Sequence, residues 1–275
     1  MSEPARHLPS SLVLLGAGKM GGAMLEGWLA QGMNPQGVTV LDPHPSDEMA
    51  RLCEKRGIAL NPSRPDQPEV LVLAIKPQML DEAAKDLDAL IGPGTLIVSI
   101  LAGKTIGDLR KRLPEARAVV RAMPNLPASI GRGATGAAAS PEVTEAQRLV
   151  ADALLKSVGA VEWLPSEDLI DAVTAVSGSG PAYVFHLVEC LAEAGIAAGL
   201  PADLAQRLAR ATVTGAGELL FQSDLSPATL RQNVTSPGGT TAAGLQVLMA
   251  DPGGLKALMR ETVAAAKRRA EELAG

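Results

Sequence analysis

The chain has little cysteine, histidine or aromatic character. Its 275 residues include 2 Cys and 3 His. Cys53 and Cys190 sit in different halves, which excludes a disulfide framework and any centre built on three or four thiolates. His7, His44 and His186 are too scattered to outline a zinc site by spacing. Aromatics are only 2% of residues, which argues against a base-stacking surface. Cations are not in excess: 25 Lys+Arg face 30 Asp+Glu, a net charge of −5. That balance is poor for binding a phosphate backbone. No run reaches the roughly 18 unbroken apolar residues of a membrane span, and residues 1–10 lack the apolar stretch of a secretory signal. The expectation is a chain of the reducing cytoplasm, with no metal, no nucleic-acid partner and no membrane partner.

What is present is aliphatic. Hydrophobic residues make up 47% of the chain, mostly Ala, Val, Leu and Ile, with 28 Gly and 20 Pro in no fixed period. In the first 125 residues, short apolar runs alternate with helical patterns. Leu12–Gly16, Val38–Leu41, Glu69–Ile75, Thr95–Ile100 and Ala118–Ala122 read as strands buried on both faces. Lys19–Gln31, Asp47–Arg56, Met79–Leu90 and Ile106–Arg112 read as the helices between them. This alternation predicts an open, mostly parallel α/β sheet. After a helix at 142–157 and a strand at 160–163, only helices are expected, three of them opened by Pro181, Pro201 and Pro227. The expected domains are an α/β Rossmann domain over 1–165 and an all-α domain over 166–275.

Gly16–Ala17–Gly18–Lys19–Met20–Gly21 has the form G-x-G-x-x-G, after a strand and at the opening of a helix. Gly16 permits the tight turn, Gly18 lets a pyrophosphate approach the backbone, and Gly21 lets helix and sheet pack closely. The helix N-terminus adds free N–H groups and partial positive charge. Asp42 ends the next strand, where an acid contacts the ribose hydroxyls and favours NAD over NADP. Arg51, Lys55 and Arg64 are nearby cations that could reverse this preference. The other reading of Asp42 is a turn cap before Pro43 and Pro45. Lys76, at the end of Ala74–Ile75–Lys76–Pro77, is either a phosphate contact or a solvated residue.

In the second half, Ser177–Gly178–Ser179–Gly180–Pro181 leaves bare backbone at a helix start. This suits either the approach of a ligand or second chain, or a helix–helix joint. His186, Glu189 and Glu193 form one thin polar stripe on an otherwise apolar helix, so that helix needs partners nearly all round. Asn233–Val234–Thr235–Ser236–Pro237–Gly238–Gly239–Thr240–Thr241 crowds hydroxyls and glycines before another helix. Its N–H groups suit a small carboxylate, and its hydroxyls suit an amine or imine nitrogen.

From Leu12 to about Leu258 the chain resembles the pyrroline-5-carboxylate reductase family. The marks are GAGKMG at 16–21, AIKPQ at 74–78, RAMPN at 121–125, EDLIDAVTAVSGSGPAY at 167–183 and NVTSPGGTTAAGL at 233–245. The resemblance implies reduction of the cyclic imine Δ1-pyrroline-5-carboxylate to L-proline with NADPH or NADH. It implies coenzyme contacts at Leu15, Gly16, Ala17, Gly18, Lys19, Met20 and Gly21, and at Ala74, Ile75, Lys76 and Pro77. Ile100, Leu101, Ala102 and Asn233 complete that set. It places Glu167, Thr240 and Thr241 at the substrate; from position and chemistry, Thr241 is the expected catalytic hydrogen-bond partner of the ring nitrogen. It also implies a homodimer through the C-terminal helices, with a larger homo-oligomer such as a decamer as a further expectation. Leu126 departs from the family's usual Thr, and Met249 from a usual acid or amide. A β-hydroxyacid dehydrogenase shares the domain plan but needs a lysine on its long helix, and this helix has none, the next lysine in the chain being Lys256. A different imine reductase, or a nucleotide-sensing protein of the same fold, stays open.

Overall fold

A computed structural model describes residues 7–274, so positions 1–6 and 275 of the two expected domains lie outside the described residues. The first element, β1 (Leu12–Leu15), is buried throughout and runs through the glycine loop into α1 (Lys19–Ala30). Then come β2 (Val38–Leu41), α2 (Asp47–Arg56), the two-residue β3 (Ala59–Leu60) and β4 (Val70–Leu73). After them come α3 (Leu80–Leu87), β5 (Leu96–Ser99), α4 (Ile106–Arg112) and β6 (Ala118–Met123). The sheet is completed by β7 (Gly133–Ala139), α5 (Glu145–Lys156) and β8 (Gly159–Trp163).

The eight strands lie in the order β3-β2-β1-β4-β5-β6-β7-β8. All neighbours pair in parallel except β6 and β7. The order reverses between β1 and β4, which opens a crevice beyond their carboxyl ends. Each sheet face has its own apolar core. Leu12, Leu14, Met24 and Trp28 belong to one, and Trp28 Nε1–H donates to the Leu154 carbonyl at 2.9 Å. Val13, Leu71, Leu80 and Leu109 belong to the other.

In the half expected to be all helical, residues 167–178 split into three pieces. A 3-10 turn (Glu167–Leu169) leads into α6 (Ile170–Val173) and a π-helical turn (Thr174–Gly178). These residues pack with the sheet. The compact units are residues 1–178 with 267–275, and residues 179–266. The packing division therefore falls some residues beyond the boundary expected at 165.

The second unit holds α7 (Gly180–Ala197), α8 (Ala202–Gln222), α9 (Pro227–Asn233), α10 (Thr240–Leu248) and most of α11 (Leu255–Ala274). α7 and α8 form a hairpin whose buried residues are small: Ala192, Ala205 and Ala209. No described residue of α9, α10 or α11 is buried. Phe185 is 56% exposed, Leu219 62%, Phe221 60% and Val247 74%. Apolar surface of this extent on one unit marks an interaction surface. His186 lies on the exposed side of α7, with Glu189 Oε2 2.9 Å from its Nδ1. No described helix is long and apolar enough to cross a membrane.

Candidate active site

The glycine loop has the geometry its sequence requires. Gly16 has φ +88°, and a Cβ there would come within 2.8 Å of the Ala74 backbone. A Cβ on Gly21 would lie 2.1 Å from the Gly16 carbonyl oxygen. Gly18, by contrast, has no atom within 4 Å of its Cβ position. Gly18 is also the N-cap of α1, with no side-chain cap and no acid in the first turn. The N–H groups of Lys19, Met20 and Gly21 thus open α1 unpartnered, as first-turn donors do. A bare, positive helix end beside open space fits a pyrophosphate.

The carboxyl ends of β1 and β4 are locked together: Ala74 N–H donates to the Leu15 carbonyl at 2.8 Å. Ala74 and Ile75 are half-buried beyond β4, while Lys76 is exposed as the N-cap of the 3-10 turn Pro77–Met79. Beyond β5, Ile100 is half-buried, Leu101 buried and Ala102 exposed. A cavity of 780 Å³ opens along this edge, lined by Leu15, Asp42, Asn61, Arg64 and Ile75 among others.

Asp42 does more than either sequence reading assigned it. Its Oδ2 accepts Ala17 N–H at 2.8 Å, and its Oδ1 accepts His44 N–H at 2.9 Å. The carboxylate therefore caps its own turn and holds the glycine loop. Asn61, which the sequence reading missed, braces it in turn. Asn61 has φ +49°, accepts Asp42 N–H at 2.9 Å and donates to the Asp42 carbonyl at 2.7 Å. An Asn before Pro62 in a polar stretch is the signal, since Asn tolerates the left-handed region. Asp42→Ser should raise the NADPH/NADH ratio of kcat/KM by roughly tenfold, about 1.4 kcal/mol, through removal of a charge that repels a 2′-phosphate. Affinity for both coenzymes should fall as well, because Ser is too short to hold Ala17. Steady-state kinetics with each coenzyme checks this; an unchanged ratio leaves Asp42 as a loop brace alone.

Glu167 is more constrained than its sequence suggested. Its Oε1 accepts Ile106 N–H at 2.8 Å and Arg121 Nη1–H at 2.9 Å. Arg121 stands on β6 and is buried. Its signal was a lone charge inside the apolar run AVVRAM. Nearby, Thr105 and Asp108 form a capping box that starts α4. Burial disfavours the Asp108 carboxylate, but its hydrogen bonds with Thr105 outweigh this and hold its pKa below the usual value. Asn125, just beyond β6, donates to the Ser177 carbonyl at 2.9 Å and accepts Ala134 N–H at 2.9 Å. It fixes the π-helical turn, a local geometry that recurs at functional sites.

Asn233, Thr240 and Thr241 belong to the second unit. Asn233 ends α9, and the two threonines open α10, all three exposed. Gly239 is the N-cap of α10 and supplies no side-chain cap. Ala243 N–H returns to the Gly239 carbonyl, so the N–H groups of residues 240–242 are the free donors of the first turn.

The sheet order, the bare helix end and the glycine spacing define a Rossmann-type dinucleotide-binding protein. Residues 11–103 match a family described as NADP oxidoreductase, coenzyme F420-dependent, which makes the class an oxidoreductase. Residues 167–273 match the pyrroline-5-carboxylate reductase dimerisation family. The chain is 42% identical to a pyrroline-5-carboxylate reductase of Synechocystis sp., over 95% of this chain and 97% of that one. It is similar to the solved structure of a pyrroline-5-carboxylate reductase from Coxiella burnetii, with TM-score 0.88 and 35% identity over 96% of this chain and 98% of that one. It is also similar to the Plasmodium falciparum pyrroline carboxylate reductase with NADP bound, with TM-score 0.76 and 25% identity over 96% and 98% of the two chains. The chain belongs to the pyrroline-5-carboxylate reductase family.

Proposed function

We propose that the chain reduces Δ1-pyrroline-5-carboxylate to L-proline in the cytoplasm, as the last step of proline synthesis. The observation that carries this is the pairing of two helix openings in one chain. α1 opens bare behind G-x-G-x-x-G, and α10 opens bare behind Ser236–Pro237–Gly238–Gly239. The first suits the pyrophosphate of NADPH or NADH, and the open space at Gly18 leaves room for it. When bound, the reduced nicotinamide supplies a hydride to C5 of the pyrroline ring.

The chain's own residues bind and orient. The N–H groups of Lys19, Met20 and Gly21 hold phosphate. Ala74 to Pro77, Ile100 to Ala102 and Asn233 contact the coenzyme, and Asp42 receives the ribose hydroxyls. At the start of α10, N–H groups and the Thr240 hydroxyl hold the substrate carboxylate. The Thr241 hydroxyl bonds the ring nitrogen, and Glu167 is the acid on the substrate side. A pyrrolinium is already electrophilic, so the protein needs orientation and charge more than a strong acid. Thr241 orients or relays a proton rather than generating one.

The test is oxidation of NADPH and NADH by the purified protein with Δ1-pyrroline-5-carboxylate, against an acyclic imine and a 2-oxo acid. Oxidation with the cyclic imino acid alone supports the reading. Activity with all imines, or with the oxo acid, contradicts it.

We further propose a homodimer through α7 to α11, with a larger assembly of such dimers. The exposed Phe185, Leu219 and Phe221, and the unburied α9 to α11, need a second copy to cover them. Obligate interfaces of this kind leave no stable folded monomer. Sedimentation should show no folded monomer at micromolar concentration, and a folded, active monomer would overturn this.

A further inference from the structure

We propose that Arg121 is a positioning residue for the coenzyme, acting through Glu167 on the loop Ile100–Lys104. The inference rests on the coenzyme reading above and adds to it a residue that cannot itself touch the coenzyme. The Arg121 side chain is only 5% exposed. A buried guanidinium stays charged and must be paired. Two carboxylates meet it: Glu167 Oε1 lies 2.9 Å from Nη1, and Asp171 Oδ1 lies 4.0 Å from Nη2.

The same Glu167 oxygen accepts Ile106 N–H at 2.8 Å. Ile106 is the first residue of α4, whose early N–H groups have no partner within the helix. One carboxylate oxygen therefore joins β6, the start of α4 and the turn at 167–169. The loop between β5 and α4 is held at its other end too. Ile100 N–H donates to the Leu73 carbonyl at 3.0 Å, and Leu101 N–H to Ser99 Oγ at 3.3 Å. Its outer side is backed by the end of α11, since a Cβ on Gly103 would lie 3.0 Å from the Leu273 carbonyl oxygen.

A carboxylate with one neutral donor can turn and exchange its oxygens. The charged fork of Arg121 fixes which oxygen faces Ile106, and with it the α4 end of the loop. The loop follows the carboxyl end of β5, next to β4 in the sheet, where Ala74 to Pro77 make the neighbouring contacts. Arg121 thus sets the place of the coenzyme loop from inside the core.

The experiment uses the full chain and the variants Arg121→Lys, Arg121→Met and Arg121→Met/Glu167→Met. Coenzyme Kd by NADPH and NADH fluorescence, KM, kcat and thermal midpoint are measured for each. Arg121→Met should raise coenzyme Kd and KM by roughly tenfold, while kcat at saturating coenzyme falls much less. Arg121→Lys keeps the charge without the fork and should show an intermediate rise. The double variant removes both charges and should regain thermal midpoint relative to Arg121→Met. Its coenzyme Kd should stay raised, because Ile106 N–H has lost its acceptor. If Arg121→Met does not fold, the double variant and Arg121→Lys decide. Wild-type coenzyme Kd in the folded variants, whatever their thermal midpoint, overturns the proposal. Failure of the unaltered protein to bind either coenzyme overturns the coenzyme reading instead, and the inference with it.

Discussion

Thr241→Ala is expected to lower turnover by roughly ten- to a thousand-fold, about 1.4–4 kcal/mol of transition-state stabilisation. Thr241 is the second residue of α10 and is exposed. The alanine keeps the N–H groups proposed to hold the substrate carboxylate and removes the hydroxyl together with the γ-methyl group. KM for the substrate should therefore move less than kcat. Coenzyme affinity should barely change, because the glycine loop belongs to the first unit. Thr241→Ser keeps the hydroxyl and should keep most activity. Thr240→Ala should cost less, since neighbouring N–H groups still meet the carboxylate. Near-normal turnover in Thr241→Ala at saturating substrate contradicts the role. An equal loss in Thr241→Ser also contradicts it, and points to packing of the methyl group.

Gly21→Ala and Gly18→Ala should separate two effects of one loop. A Cβ on Gly21 would sit 2.1 Å from the Gly16 carbonyl oxygen, a backbone atom that cannot step aside. α1 or the turn must shift, at about 1–3 kcal/mol as for other overpacked sites. Both thermal midpoint and coenzyme binding should fall, and kcat/KM for the coenzyme by roughly a hundredfold or more, since small misplacements are costly in an oriented site. A Cβ on Gly18 meets nothing within 4 Å. Gly18→Ala should therefore keep its thermal midpoint and lose coenzyme affinity, because the new methyl group occupies the pyrophosphate's approach. Fluorescence titration and thermal unfolding measure both. Normal coenzyme affinity in Gly18→Ala would place the pyrophosphate elsewhere.

The parts of the fold legible in the sequence are those set by local pattern. Leu12–Leu15, Val70–Leu73 and residues 96–98 are continuous apolar runs, and they lie in the buried centre of the sheet. β7 was not legible. Its sequence GATGAAA has one β-branched residue, and its antiparallel pairing with β6 is a long-range choice. The boundary at 165 followed the last strand signal. The structure carries residues 167–178 onto the sheet because Arg121 holds Glu167 and Asn125 holds Ser177, links across 46 and 52 residues. Spacing cannot show such links.

The candidate site divides the same way. The glycine loop is legible because its geometry depends on missing side chains at fixed spacing. Asp42 was legible as an acid at the end of β2, but its bond to Ala17, 25 residues away, was not. Asn61 and Arg121 act through partners, Asp42 and Glu167, that they meet only in three dimensions. The crowded hydroxyls and glycines of 233–241 already marked Thr240 and Thr241 for a carboxylate and a nitrogen, while Glu167 entered only through the family resemblance.

The most direct measurement is a label transfer. NADPH or NADH deuterated at the transferring C4 position is mixed with the purified protein and Δ1-pyrroline-5-carboxylate, and the product is read by mass spectrometry and NMR. The account predicts L-proline carrying one deuterium at C5, formed one for one with oxidised coenzyme. Unlabelled proline, or coenzyme oxidation without proline, would contradict it.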